Sequence, residues 1–263
     1  MGTLVLCLML IGQTPEQLRT YVTEMPTSRV SSNNSSTTEY LRAQLKGYEA
    51  ELQPFGNTAN VLATKIGPLD TVLVVGAHYD AVPGSPGADD NASGTAVVLM
   101  LAQMLKDQTT RHTISFQLYS GEEDGLLGSH YYCENPKWPI KKHLFMLNLD
   151  MIGYLRPVTG DETVPVNDIL RPLFAKYEFA QGITLRNDPG SDNDSFEKKG
   201  IPAIFLHTGL HKNYHRRTDT ADKLNYKGMS EICKYAYDLL LTVDKFDTPK
   251  YDIRNGLPTI YTR

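Results

Sequence analysis

Residues Thr71–Asp80 read TVLVVGAHYD, an apolar run that ends without a break on His78-Tyr79-Asp80. Its hydrophobic residues stand at consecutive positions and do not alternate, which is the pattern of a strand covered on both faces. Runs of the same kind occur at Asn60–Ile66, Thr113–Tyr119, Leu144–Leu149 and Pro202–Leu206. Between them Ala92–Leu105 is apolar nearly all round, as a helix buried against a sheet should be. Further out, Ser31–Ser36 reads as a short polar linker. Ser36 and Glu39 form a capping box before Tyr40, Leu41, Ala43 and Leu45. Ser230 reads as the cap of a last helix, whose Ile232, Tyr235, Ala236, Leu239, Leu240 and Val243 make one apolar face. The alternation predicts an α/β fold, a three-layer helix–sheet–helix arrangement around a mostly parallel, mixed central sheet, with residues 1–263 as one domain.

The 263 residues are 41% hydrophobic and 21% charged, an ordinary globular balance. A formal charge of -4 and a pI near 6.0 lack the basic footprint that binding nucleic acid requires. Cys7, Cys133 and Cys233 are too few and too scattered for a disulfide framework or a thiolate zinc site. Leu4–Ile11 is far shorter than the ~20 residues of a spanning helix, so no stable membrane span is expected. Residues 1–12 read either as a signal or anchor-like segment, without a basic n-region, or as a buried first element. The first reading implies a secreted or periplasmic protein, the second leaves the cytoplasm open.

The chemistry lies at the carboxyl end of each apolar run. Thr71–Ala77 leads into His78-Tyr79-Asp80, Thr113–Tyr119 into Ser120-Gly121-Glu122-Glu123, and Leu144–Leu149 into Asp150. After Pro202–Leu206 comes a loop with His207, His211 and His215. Ligands of open α/β sheets bind outside the carboxyl ends of the strands. That crevice would collect imidazoles and carboxylates from four strands, together with the loop Gly87-Ala88-Asp89-Asp90-Asn91. So many acids cannot be buried together without positive charge to compensate them. Two histidines with several carboxylates match the nitrogen and oxygen ligand set of zinc, and one carboxylate can bridge two ions. Any one of these residues alone is more often a turn residue or solvated surface. Spacing does not choose among the three loop histidines. His112, His130 and His143 read as surface or structural histidines, and Asp89 as a loop residue.

The segments HYDAV, GADDNASG, SGEEDGLLGS, NLDMIGY and NYHRRTDTADKL resemble the metal-site motifs of metallopeptidase family twenty-eight, the co-catalytic zinc exopeptidases. They occur in the family's order and spacing, from about Asn60 to the last helix. The resemblance implies a zinc-exopeptidase, phosphorylase/hydrolase-like fold with two zinc ions per chain. It further implies that His78 and Asp150 bind the first ion, that Glu123 and His215 bind the second, and that Asp90 bridges them across a cis bond to Asn91. Glu122 would then be the general base, Asp80 the acid that orients His78, and Tyr214 a holder of the oxyanion. Adjacent glutamates suit this division, because a general base must reach the attacking water without being a ligand itself. One departure is Ser191-Asp192-Asn193-Asp194, where the family often has histidine after Ser-Asp.

The expected activity is that of an aminopeptidase acting on peptides with a free N-terminus. A glutaminyl-cyclase-like acyltransferase, which uses one zinc, fits the full ligand set less well, and a carboxypeptidase or dipeptidase of the same fold is the alternative in direction. A catalytically dead domain would be expected to have lost ligands, and none of the five is missing. No Gly-x-Ser-x-Gly elbow and no phosphate-binding glycine loop is present. Gly153–Pro165 is expected to form part of the pocket rim.

Overall fold

The computed structural model describes residues 14–155, 184–186, 190–247, 250–254 and 257–261; the segment 1–12 lies outside the described residues, as does most of Gly153–Pro165. Helix α1 covers 14–24 and α2 Ser35–Gln44. Strands β1 (Glu51–Phe55) and β2 (Thr58–Lys65) make a hairpin across Gly56-Asn57, with Gly56 at φ 52°, the left-handed conformation such a turn needs. Next come β3 (Val72–His78), α3 (Gly94–Leu105), β4 (Thr113–Tyr119), α4 (Leu127–Glu134) and β5 (His143–Leu149). The chain continues through β6 (Thr184–Arg186), α5 (Asn193–Glu197), β7 (Ala203–His207) and α6 (Tyr226–Val243) to a separate hairpin, β8 (Lys250–Arg254) and β9 (Leu257–Tyr261). No helix among the described residues is long and apolar enough to cross a membrane.

Seven strands form one sheet in the order β1-β2-β4-β3-β5-β7-β6. Its centre is parallel, with β3 beside β4 and β5, and β5 beside β7. The antiparallel pairs β1–β2, β2–β4 and β6–β7 lie toward the edges. Every residue of β3 is buried. Leu73, Val75 and Ala77 pack with Val97 and Leu101 of α3 and Met229 and Leu239 of α6, whereas Val72 and Val74 pack with Tyr132 of α4 and Phe196 of α5. One strand thus feeds two cores, which is why its sequence has no polar face. The apolar pattern is less complete in β4, where buried Gln117 donates to Ser115 Oγ at 2.9 Å and accepts from the Tyr119 hydroxyl at 2.6 Å.

Two helix starts differ from the sequence reading. α2 begins at Ser35 with Asn34 in the cap position, so Ser36 is not the cap. The Asn34 amide caps nothing, because it donates to Ser120 Oγ at 2.7 Å and accepts from Thr58 Oγ1 at 3.1 Å. α6 begins at Tyr226, where the Asn225 side chain accepts from the Gly228 N–H, which leaves Ser230 buried inside the helix.

The order of strands creates the site. β3 is joined to β4 on one side through α3, and β4 is joined through α4 to β5 on the other side of β3. The two connecting helices lie on opposite faces, so a crevice opens at the carboxyl end of β3, the topological switch point of such sheets. α3 starts hard against β5: a Cβ on Gly94 would lie 2.2 Å from Leu149 O. Gly94→Ala is therefore expected to destabilise the protein by about 1–3 kcal/mol, the usual effect of overpacking. Urea unfolding should show a lower midpoint at unchanged slope. An unchanged midpoint would mean that α3 can move off the strand.

Candidate metal centre

At the end of β3, His78 aims Nε2 at two carboxylates, Asp90 Oδ1 and Asp150 Oδ1, each 3.3 Å away. Across the crevice His215 places Nε2 3.0 Å from Asp90 Oδ2 and 3.1 Å from Glu123 Oε2. Asp90 therefore divides its two oxygens between the two imidazoles. Neither Asp90 Oδ2 nor Glu123 Oε1 has a hydrogen-bond partner, although both are buried. His215 and Asp90 are close without being aligned for a hydrogen bond, as atoms directed at a common third body would be. Ligands bonded at about 2.0–2.1 Å in tetrahedral geometry lie about 3.3–3.4 Å apart, near the separations found here. His78, Asp90 and Glu123 form one group able to hold an ion, and His78, Glu122 and Asp150 another. Glu122 Oε2 is the more distant from His78 Nε2, at 4.0 Å against 3.3 Å for Asp150.

The field of these groups arises from their burial. Burial pushes Glu122 up to about 9, aided by Asp150, Asp192 and Glu123 and opposed by His78. Burial also raises Glu123 to about 7, with Asp90 adding to the effect. Burial would lower His78, but Asp150 and Glu122 carry it well above the usual imidazole range. For Asp90 burial works upward, and the contacts with His215 and His78 outweigh it and hold the carboxyl well below its normal range. Asp192 is fully buried and is itself pushed up to about 7 by burial. A cluster so crowded with acid is suited to cations.

Other residues fix this geometry. Asp80 lies 3.5 Å from His78 Nδ1, and its two oxygens accept from the N–H groups of Glu122 (3.2 Å) and Glu123 (3.3 Å). One carboxylate thus joins the end of β3 to the loop after β4. Asp219 accepts from the N–H groups of Asp89 (3.0 Å) and Asp90 (3.1 Å), tying the histidine loop to the segment that carries Asp90. A second tie runs from His211 Nε2 to Asp89 Oδ2, 2.9 Å, with His211 stacked on Tyr154 at 3.8 Å. Asn91 donates to Leu149 O and accepts from Gly94 N–H, and Ser191 donates to Asp150 Oδ2 at 2.8 Å. The Asp90–Asn91 peptide bond is cis. Met151 and His215 adopt φ of 53° and 56°, a left-handed conformation that costs non-glycine residues on the order of 1–3 kcal/mol and collects at functional sites.

The other histidines are accounted for by ordinary partners. His112 Nε2 contacts Phe246 O at 2.8 Å, His143 Nε2 contacts the Tyr132 hydroxyl at 2.8 Å, and His130 is exposed. His207 Nδ1 lies 3.2 Å from Asp150 O. Sequence reasoning missed Asp219, His211 in its actual role, and Asp89 as more than a loop residue. An acid four residues after His215 was visible, but nothing local says that it reaches back to residues 89 and 90.

Beside the carboxylates is a cavity of ≈ 160 Å³ whose walls include Tyr214, Met151, Phe205 and Leu210. Tyr214 stacks on His215 with ring centres 3.7 Å apart. Burial and the carboxylates Asp90 and Glu123 raise its hydroxyl pKa, which keeps it a hydrogen-bond donor.

Comparison with known proteins finds similarity along most of the chain. The family model described as Peptidase family M28 matches residues 60–240. Leucine aminopeptidase 1 of Arthroderma otae is 32% identical over 205 residues, covering 66% of this chain and 55% of that protein. The aminopeptidase from Aneurinibacillus sp. strain AM-1 superposes with a TM-score of 0.60 at 28% identity, over 78% of this chain and 52% of that one. A zinc aminopeptidase from Bacillus subtilis gives 0.61 at 26% identity, over 71% and 52%. The chain spans about half the length of each of these proteins.

Proposed function

The chain belongs to peptidase family M28, and from that premise we propose that it is a zinc-dependent aminopeptidase releasing N-terminal residues from peptides. The observation that carries the reading is the division of Asp90, one oxygen toward His78 and Asp150, the other toward His215 and Glu123. The donor set suits zinc: His78 and Asp150 would hold one ion, Glu123 and His215 a second, and Asp90 would offer one oxygen to each. When bound, such a pair lowers the pKa of water and polarises the scissile carbonyl.

The chain's own residues do the rest. Glu122, beside the ligands and not among them, would lose its proton once bound cations offset the burial and neighbouring acids that raise it. It then takes the proton from the attacking water and returns it to the leaving amine. Asp80 faces Nδ1 of His78 and so sets the tautomer that leaves Nε2 as ligand. The Tyr214 hydroxyl donates to the oxygen that becomes negative in the transition state. Glu122 and Asp150, which line the cavity, supply the negative charge that attracts the substrate's α-ammonium. Met151, Phe205 and Leu210 offer the first side chain an apolar wall. Export from the cytoplasm belongs to the same proposal and rests on the apolar run Leu4–Ile11.

The test is a panel of aminoacyl-p-nitroanilides, free and N-acetylated. Free substrates should be cleaved, apolar ones best, and acetylation should abolish cleavage because the neutral amide cannot pair with the acids. Equal rates on both forms would refute the aminopeptidase reading. Release of C-terminal residues from a peptide would reverse its direction.

A further inference from the structure

Arg29 stands between α1 and α2, ahead of the first residue matched by the family, and is 2% exposed. Among the residues whose burial is described it is the one buried side chain of permanent positive charge. Its guanidinium donates from Nε to Tyr79 O at 2.7 Å, and from Nη1 to Pro26 O at 2.9 Å and Pro86 O at 3.0 Å. Nη2 donates to Gly87 O at 2.7 Å. The Arg29 carbonyl in turn accepts from Ala81 N–H at 3.2 Å.

These partners are not scattered. Tyr79 lies between His78 and Asp80, and Pro86 and Gly87 lead directly into Asp90. The fork therefore clamps both ends of the one connection, residues 79–87, that joins His78 to the segment carrying Asp90, and anchors it to the stretch before α2. Gly87 leaves room for it: at φ 59°, a Cβ there would lie 2.7 Å from Arg29 Nη2. Burial lowers the guanidinium only to about 10, because Asp80, Asp219, Asp90 and Glu123 oppose the loss of its charge. A planar fork with five donors can serve carbonyls arriving from three segments, and a lysine ammonium cannot reproduce that geometry.

We propose that Arg29 is a positioning residue of the metal centre: by clamping the two ends of the 79–87 connection it fixes His78 and Asp90 relative to one another and so sets the affinity for an ion held between them. The inference rests on the zinc reading of the site. It differs in sign from the plainer idea that Arg29 only offsets the surrounding acid. Removing a nearby positive charge would by itself favour a bound cation, whereas loosening the connection between His78 and Asp90 must disfavour it.

The experiment measures zinc binding, not activity. Metal-free parent, Arg29→Lys and Arg29→Met are titrated with zinc in competition with a chromogenic chelator, and circular dichroism reports the fold of each. The expected result is binding at least ~10-fold weaker in Arg29→Met than in the parent, a difference of about 1.4 kcal/mol, with Arg29→Lys between the two. Zinc binding as tight as the parent's, or tighter, in either folded variant would overturn the proposal. If neither variant folds, Arg29 serves the fold as a whole and the proposal falls. A parent that binds no zinc would instead sink the metal reading itself.

Discussion

Exhaustive treatment with a strong chelator is expected to lower hydrolysis by about 10³-fold or more, and added zinc to restore it. Several kcal/mol of transition-state stabilisation by bound metal correspond to a factor of this size. The expectation rests on the acid–imidazole cluster, where His78, Asp90, Asp150, Glu123 and His215 converge at 3.0–3.3 Å. The metal-free protein should also respond to pH. Burial raises Glu123 to about 7 and Glu122 to about 9, so both bind protons more tightly folded than unfolded. Their contribution to stability is then fully present below the unfolded carboxylate pKa and is lost as pH rises toward 9. Asp90, held low, acts oppositely, but only on the acid side of its ordinary range. The thermal midpoint of the metal-free protein should accordingly fall between about pH 5 and 9. Zinc should raise it most at the upper end, where cations no longer compete with protons. Full activity after metal removal, confirmed by elemental analysis, would rule the mechanism out.

The adjacent pair Glu122 and Glu123 should answer differently to the same conservative change. Both could be ligands by distance alone, since Glu122 also groups with His78 and Asp150. Yet Glu123 Oε2 lies 3.1 Å from His215 Nε2, whereas Glu122 Oε2 stands back at 4.0 Å from His78 Nε2. Glu122→Gln keeps the shape and removes the proton acceptor. It should keep its full metal content and lose activity by roughly 10²–10⁴-fold, the usual worth of general acid–base catalysis. Glu123→Gln replaces a carboxylate with a neutral amide, a poorer partner for zinc. It should lower zinc content, and excess zinc should recover part of the rate. Metal content and rate measured on one preparation separate the two. Loss of zinc from Glu122→Gln with full zinc in a dead Glu123→Gln would exchange the roles, and no effect of either change would remove the site.

Glutamates, histidines and strands are all readable in the sequence. Consecutive apolar residues in Thr71–Ala77 and Leu144–Leu149 announce strands covered on both faces, because burial on both faces acts on every residue of the strand. Polar residues directly after such runs announce a site at the carboxyl edge. β1 is hidden because its residues are mostly exposed at an edge and include Pro54, although the turn dipeptide Gly56-Asn57 stands beside it. The helix starts at Asn34 and Asn225 are obscured by nearby serines that satisfy the same local rule.

The strand order, and with it the crevice, was decided only by tertiary structure. Local pattern says that a strand is buried, but not which strand lies beside it. The same holds for the choice among His207, His211 and His215. The fold brings His215 to Asp90 and Glu123, His211 to Asp89, and His207 to the Asp150 carbonyl. It holds for Asp219 and Arg29, whose hydrogen bonds span 130 and 58 residues of chain. Sequence alone determines which residues must leave water and which chemistry they carry. Which groups then meet depends on how the buried surfaces pack together, and that is a property of the whole chain rather than of any window of it.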